Sequence, residues 1–99
     1  MANNLGILEK VSFLLNKAKA KEYSKDEFDI IMSYTEEHTD NLVSGRVFGY
    51  SISEYAISTL KWIGSEESLR KYDEIMAQLP ESRKRSISEL IKSEMYKQV

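Results

Sequence analysis

The chain has 99 residues, of which 41% are hydrophobic and 30% are charged. This length suits one domain and the apolar content is too high for a disordered chain, so we expect a single folded domain over residues 1–99. The 14 basic and 16 acidic side chains give a net charge of −2, which argues against a strongly cationic nucleic-acid-binding protein. The lack of cysteine excludes disulfides and thiol nucleophiles, and a single histidine leaves few options for zinc.

Apolar residues recur at helical spacing in the first third of the chain. The first predicted helix has an apolar stripe made of Leu5, Leu8, Val11, Leu15 and Ala18, widened by Ile7 and Leu14. Ser24 and Glu27 then form a capping box, in which each side chain bonds the backbone N–H of the other residue. This box predicts the start of a second helix, which we expect to end between His38 and Asn41.

The second half of the chain predicts three more helices. Gly45 and Gly49 indicate a loop, after which Ser51 and Glu54 form another capping box. Gly64 suits the end of this third helix, Ser65 caps a fourth, and Pro80 begins a fifth that extends from about residue 81 to residue 97. The apolar stripe of the third helix is Ile52, Tyr55, Ala56, Thr59, Leu60 and Ile63; that of the fourth is Leu69, Tyr72, Ile75, Met76 and Leu79; that of the fifth is Ile87, Leu90, Ile91 and Met95.

These patterns predict an all-α fold of about five helices. Because the connections are short, we expect successive antiparallel hairpins in a compact bundle or a short irregular solenoid. The sequence has no run of the roughly 18–20 apolar residues that a membrane-spanning helix needs, and its first residues do not resemble a secretory signal. We therefore expect a cytoplasmic protein without a membrane partner.

Charge is distributed unevenly along the first two predicted helices. Residues 10–25 contain five lysines and one acid, whereas residues 26–40 contain six acids and no lysine or arginine. A surface of one sign suggests recognition of an oppositely charged partner, although a solvated face paired with the neighbouring lysines explains the pattern equally simply. The acids that we select as candidate partner-binding residues are Asp26, Asp29, Glu36, Glu37 and Asp40.

The same stretch contains residue types that are found in metal and catalytic sites. Glu36, Glu37, His38 and Asp40 are close in sequence, but zinc prefers several histidine or cysteine ligands and the calcium-loop pattern is absent. Two carboxylates leave magnesium open as an alternative, although nothing in the sequence requires it. No serine lies in an activating motif, and no glycine loop suits a phosphate, so we expect no enzyme, no cofactor and no metal.

Aromatic residues between the two glycines offer a second candidate contact. Phe48 and Tyr50 flank Gly49, and aromatic side chains with a polar end are favoured at the centres of protein interfaces. Packing in the core is the competing interpretation, above all for Phe48. We include both residues among the candidate partner-binding residues.

Two basic clusters support a rival hypothesis, a small transcription regulator that acts on nucleic acid or on a transcription complex. The first cluster is Lys17, Lys19, Lys21 and Lys25, and the second is Arg83, Lys84 and Arg85. If the clusters converge in space they offer about six phosphate contacts. A helix-turn-helix over residues 56–76 is disfavoured, because its second helix has a net charge of −2.

The segment from Tyr50 to Tyr96 contains Tyr55-Ala56-Ile57, Leu60, Gly64, Leu79-Pro80, Arg83 and Leu90-Ile91. In these residues, in its size and in its acidic stretch, the chain resembles small all-α immunity proteins of bacterial toxin systems, including contact-dependent growth inhibition modules. The resemblance covers about half of the chain and includes no diagnostic motif. It implies a cytoplasmic protein that binds one cognate toxin, often a basic nuclease, and blocks its active site.

Overall fold

Five α-helices make up most of the chain that the computed structural model describes, which is residues 6–36, 46–47, 50–93 and Tyr96. The helices are α1 (Ile7–Ala20), α2 (Lys25–Thr35), α3 (Ile52–Ile63), α4 (Glu66–Met76) and α5 (Glu81–Ile91). The predicted all-α fold is confirmed.

Both predicted capping boxes are present. The hydroxyl of Ser24 accepts a hydrogen bond from the backbone N–H of Glu27 at 3.1 Å, and Ser51 does the same for Glu54 at 3.3 Å. Gly64 ends α3 with a φ of 75°, a left-handed conformation that favours glycine. These helix ends agree with the sequence because capping depends on residues three positions apart.

The predicted loop between the glycines contains a short pairing instead. Strand β1 (Arg46–Val47) pairs antiparallel with strand β2 (Tyr50–Ser51), with Arg46 opposite Ser51 and Val47 opposite Tyr50. β2 continues directly into α3, so the pairing directs the chain into that helix.

Helix α3 is the centre of the bundle, and the extensive contacts of each other helix are made with α3. All of its residues except Lys61 and Trp62 are buried. Consecutive helices pack extensively on each other only for α2 with α3 and α3 with α4, so the predicted succession of hairpins does not extend to α1 with α2 or to α4 with α5. The arrangement is a bundle around α3 rather than a solenoid. A central helix must be buried on every face, and the small side chains Ser53, Ser58 and Ala56 let its neighbours approach closely.

Two buried polar residues on α3, Ser53 and Thr59, have hydrogen-bond partners on other parts of the chain. Ser53 donates to the backbone carbonyl of Thr35 at 2.7 Å, and the Thr59 hydroxyl lies 2.9 Å from the hydroxyl of Tyr96. Tyr96 also donates to the carbonyl of Tyr55 at 2.8 Å. These bonds satisfy groups whose burial would otherwise be costly.

The peripheral helices depart from their predicted apolar stripes. In α1 the side chain of Leu8 is 67% exposed, because the buried side is centred on Val11, Leu14 and Ala18. In α4 the predicted stripe is only half-buried, and Ser68 is the buried residue of that helix. The helix predicted to extend to residue 97 ends at Ile91. Leu5 and Met95, which belong to the predicted apolar stripes of the first and fifth helices, lie outside the described residues.

Candidate functional site

Three of the predicted acidic residues share one exposed face of α2. Asp26, Asp29 and Glu36 are all exposed, and their spacings of three and seven residues place them along the same side of the helix. We call these three residues the acidic ridge. Within the described part of the chain, none of their carboxylates forms an ion pair.

Glu27 differs from its acidic neighbours because its carboxylate has partners within the fold. Its carboxylate lies 2.7 Å from the ammonium of Lys17 on α1 and also accepts the backbone N–H of Ser24 at 2.9 Å. The hydrogen bond from Lys17 and then that from Ser24 lower the pKa of Glu27 below its ordinary value. The structure thus separates one acid that links two helices from three that face solvent.

An apolar side chain lies beside the acidic ridge. Ile30 is 40% exposed on α2, although its neighbour Ile31 is fully buried. Interfaces commonly combine an apolar centre with a charged rim. Ile30 therefore adds exposed apolar area to the charged face, which the residue pattern of the sequence did not indicate.

Other predicted contacts cannot be placed on this face. Glu37, Asp40 and Phe48 lie outside the described residues, as does His38 of the metal alternative. Tyr50 is half-buried, with its ring edge-on to Tyr55 at 6.1 Å between centroids. Burial raises the pKa of Tyr50, and the carboxylates of Glu89 and Glu54 raise it further. Its ring belongs to the packing around α3.

Among the described residues, no group of three or more histidine, cysteine, aspartate and glutamate side chains is arranged to hold a metal.

Several members of the two predicted basic clusters have partners within the fold. Lys17 pairs with Glu27, and the ammonium of Lys21 donates to the backbone carbonyl of Trp62 and lies 5.3 Å from the centre of its ring. In the second cluster, Nε of Arg83 lies 3.4 Å from the carboxylate of Glu54. The Glu54 side chain is only 3% exposed, so Arg83 compensates a buried charge.

The contacts of the two clusters lie toward opposite ends of α3. Lys21 meets Trp62 near the end of α3, whereas Arg83 meets Glu54 near its beginning. Eight helical residues separate these contacts, which corresponds to about 12 Å along the axis. The clusters therefore do not form one surface at these contacts.

A groove lies between α2 and α4. At the N-terminal ends of these helices, the hydroxyl of Tyr23 lies 2.6 Å from that of Ser65 and holds them together. Near the C-terminal ends of the helices a cavity of about 320 Å³ opens, with Ile57 of α3 among its lining residues. Its apolar lining is Met32, Ile57, Ile75 and Leu79, and the carboxylates that line it are Glu36 and Glu74. We call this cavity the α2–α4 groove.

Glu36 belongs to both surfaces, since it ends the acidic ridge and lines the groove. Sequence reasoning selected Glu36 but missed the groove and the ion pair of Glu54, because both depend on residues distant in the chain. The only local signal was the capping box, which predicted Glu54 as a cap and said nothing of Arg83.

Within the described residues, no helix has the length and hydrophobicity needed to cross a membrane. The chain matches no protein-family model, no curated protein and no solved structure.

Proposed function

We propose that this chain is a non-enzymatic binding protein that neutralises a basic protein partner, as an immunity protein neutralises its cognate toxin in the cytoplasm. The observation that carries the proposal is the acidic ridge: Asp26, Asp29 and Glu36 are exposed and form no ion pair with any described residue, whereas Glu27 on the same helix is paired with Lys17. Exposed carboxylates of this kind are available to a cationic surface.

Electrostatics also indicates how such a partner would be recognised. Charges of one sign accelerate encounter with an oppositely charged protein and lose this effect as salt is added. Exposed Ile30 supplies apolar area beside the ridge. We therefore expect binding that is fast at low salt and slower at high salt.

The rival hypothesis of a nucleic-acid-binding regulator receives less support from the same contacts. Lys17 and Arg83 pair with Glu27 and Glu54, so neither cation is free for a phosphate. The clusters that would have to converge make these contacts toward opposite ends of α3. A titration with duplex DNA at low salt tests this alternative, and we expect no binding.

The direct test of the proposal compares charge reversal on and off the acidic ridge. The product of the gene adjacent to this chain's gene is produced together with the wild-type chain, and growth rescue and complex formation are measured. Asp29→Lys combined with Glu36→Lys should reduce the association rate about tenfold, because the steering charge is reversed.

The matched control is Glu22→Lys combined with Asp73→Lys, which changes the net charge equally at two exposed positions outside the ridge. We expect this control to keep most of the association rate. If both double variants bind alike, or if the adjacent product is a nucleic-acid-dependent regulator that the chain assists, the proposed function is wrong.

A further inference from the structure

The α2–α4 groove combines an apolar wall with negative charge. We propose that it receives a basic segment of the partner protein, with one apolar side chain seated against the half-buried apolar lining of the groove and an adjacent lysine or arginine directed to Glu36 and Glu74. This inference rests on the proposed function and extends it, because it names the chemistry that the partner places beside the acidic ridge.

The size and lining of the groove suit side chains rather than a large ligand. Its volume of about 320 Å³ is near the lower end of the range for ligand-binding cavities, roughly 300–1,000 Å³. Ile57 is fully buried within the fold, whereas Met32, Ile75 and Leu79 are only half-buried. An apolar side chain placed there would cover surface that the fold leaves partly open to water.

The helix ends make this region more negative than the two carboxylates alone. The C-terminal end of a helix carries partial negative charge, which lysine or arginine normally complements. α1 follows this pattern with Lys17 and Lys19 in its last turn, and α3 follows it with Lys61. The helices that flank the groove, α2 and α4, have no basic residue in their last turns.

Acids occupy these positions instead. Glu36 is the C-cap of α2, and Glu74 lies in the last turn of α4. Glu74 lies 3.7 Å from Lys71, and Glu36 forms no ion pair among the described residues. An arrangement that opposes the helix dipoles is stabilised when a cation from outside enters the groove.

The sequence after α2 does not supply that cation. Residues 37–45 contain Glu37 and Asp40 and no lysine or arginine. The chain as a whole has a net charge of −2, so a second copy is not the electrostatic complement either. Charge complementarity therefore favours a basic segment of another protein.

The test uses three short synthetic peptides as probes and the methyl signals of the groove in nuclear magnetic resonance spectra. The peptides are acetyl-Ala-Leu-Arg-Ala-amide, acetyl-Ala-Ser-Arg-Ala-amide and acetyl-Ala-Leu-Glu-Ala-amide. We expect the Leu-Arg peptide to shift the methyl signals of Met32, Ile57, Ile75 and Leu79 in a saturable, salt-sensitive way. The Ser-Arg and Leu-Glu peptides should each bind several-fold more weakly, because each lacks one of the two required groups.

Removing the carboxylates should weaken binding without harming the fold. Glu36→Gln combined with Glu74→Gln should reduce affinity for the Leu-Arg peptide about fivefold, as expected for exposed charge pairs. The unfolding midpoint should stay level or rise, because acids are removed from helix C-terminal ends. The matched control, Glu22→Gln combined with Asp73→Asn, should leave the affinity unchanged.

Several outcomes would overturn the inference. If the peptide leaves the methyl signals of the groove unchanged and shifts only the backbone amide signals of Asp26 and Asp29, binding occurs on the ridge alone, so the groove inference would fall and the proposed function would stand. Groove signals that change with protein concentration would show that a second copy of the chain occupies the groove. Groove signals that Leu42→Ser alters in the absence of peptide would show that residues of the chain itself occupy it. If the peptide binds the groove but ridge reversal leaves the partner's association unchanged, the proposed function fails on its own evidence.

Discussion

Helices α3 and α4 follow one another with only Gly64 and Ser65 between them, yet they occupy opposite roles in the molecule. They have 12 and 11 residues, and each begins at a serine whose hydroxyl caps the helix. In α3 ten residues are buried, whereas in α4 the buried residue is Ser68. Length and capping are therefore no guide to which helix forms the core.

The comparison also explains where surface remains for binding. Helix α3 is buried at ten of its twelve residues and contributes only Ile57 to the groove lining. The apolar stripe of α4 is half-buried, and Ile75 within it lines the groove. A peripheral helix can stabilise the bundle on one side and remain open to a partner on the other.

The largest difference should appear when an apolar side chain is shortened in each helix. Leu60 on α3 is fully buried, so Leu60→Ala should lower the free energy of unfolding by about 2–5 kcal/mol, through lost burial and a residual cavity. Ile75→Ala on half-buried α4 should cost about 1 kcal/mol. Urea denaturation of both variants measures the difference. Equal losses would show that α3 is no more central than α4.

The loss of stability at alkaline pH should also come mainly from tyrosines that pack in or against α3. Burial raises the pKa of Tyr55 to about 12, with smaller contributions from Tyr50 and Glu54, and burial raises the pKa of Tyr96 as well. Below the ordinary value near 10 these tyrosines are neutral in both the folded and the unfolded chain, so stability is unaffected. Above it the unfolded chain loses protons first, and stability should fall by about 1.4 kcal/mol per pH unit for each tyrosine.

The control for this pH dependence lies on α4. Burial raises the pKa of Tyr72 too, with a smaller contribution from Asp73, but the ring is half-buried. Tyr72→Phe should therefore preserve most of the alkaline decline in the urea midpoint. A decline that disappears in this variant would place the responsible group on α4.

The loss of an ion pair should also cost more stability at α3 than at α4. Arg83→Met leaves the carboxylate of Glu54 buried without its cation and should cost about 2 kcal/mol, less than for a fully buried pair because Arg83 is 31% exposed. Lys71→Met removes the exposed pair with Glu74 on α4 and should cost less than about 0.5 kcal/mol. Thermal unfolding of the two variants compares them. A loss for Lys71→Met as large as that for Arg83→Met would contradict this interpretation.

The helix caps should show the smallest difference between α3 and α4. Ser51→Ala removes the hydroxyl that accepts the N–H of Glu54 and should cost about 1 kcal/mol, well below the cost of Leu60→Ala. Ser65→Ala removes a cap of the same kind, since Ser65 accepts the N–H of Ser68 at 3.1 Å. Because the Ser65 hydroxyl also lies 2.6 Å from that of Tyr23, this variant is made in a Tyr23→Phe background, where it should cost about as much as Ser51→Ala. Two equal losses would sharpen the conclusion that capping does not distinguish α3 from α4.

Local features of the fold could be predicted from the sequence. The boxes formed by Ser24 with Glu27 and by Ser51 with Glu54 involve only neighbouring residues, as does the end of α3 at Gly64. The position of each helix in the bundle could not be predicted in this way. Ile57 illustrates the limit, since it lies outside the predicted apolar stripe of α3 and yet is only 1% exposed, so that Ile57→Ala should cost about as much as Leu60→Ala.

The candidate site shows the same limit. Composition and spacing led to Asp26, Asp29 and Glu36, which share an exposed face of α2. The pairing of Arg83 with Glu54 joins residues 29 positions apart, and charge counting assigned Arg83 to a solvated cluster. The groove forms where α2, α3 and α4 come together, and no residue pattern within one helix indicates which helices pack side by side.

The central position of α3 has a consequence for synthesis on the ribosome. α1 and α2 are complete at Thr35, but the helix on which both pack ends at Ile63. At translation rates of about 5–20 residues per second, the nascent chain waits on the order of seconds before that helix is available. During this interval Phe28 and Ile31 lack their eventual neighbours, so the apolar faces of α1 and α2 are exposed to chaperones and proteases until α3 has been synthesised.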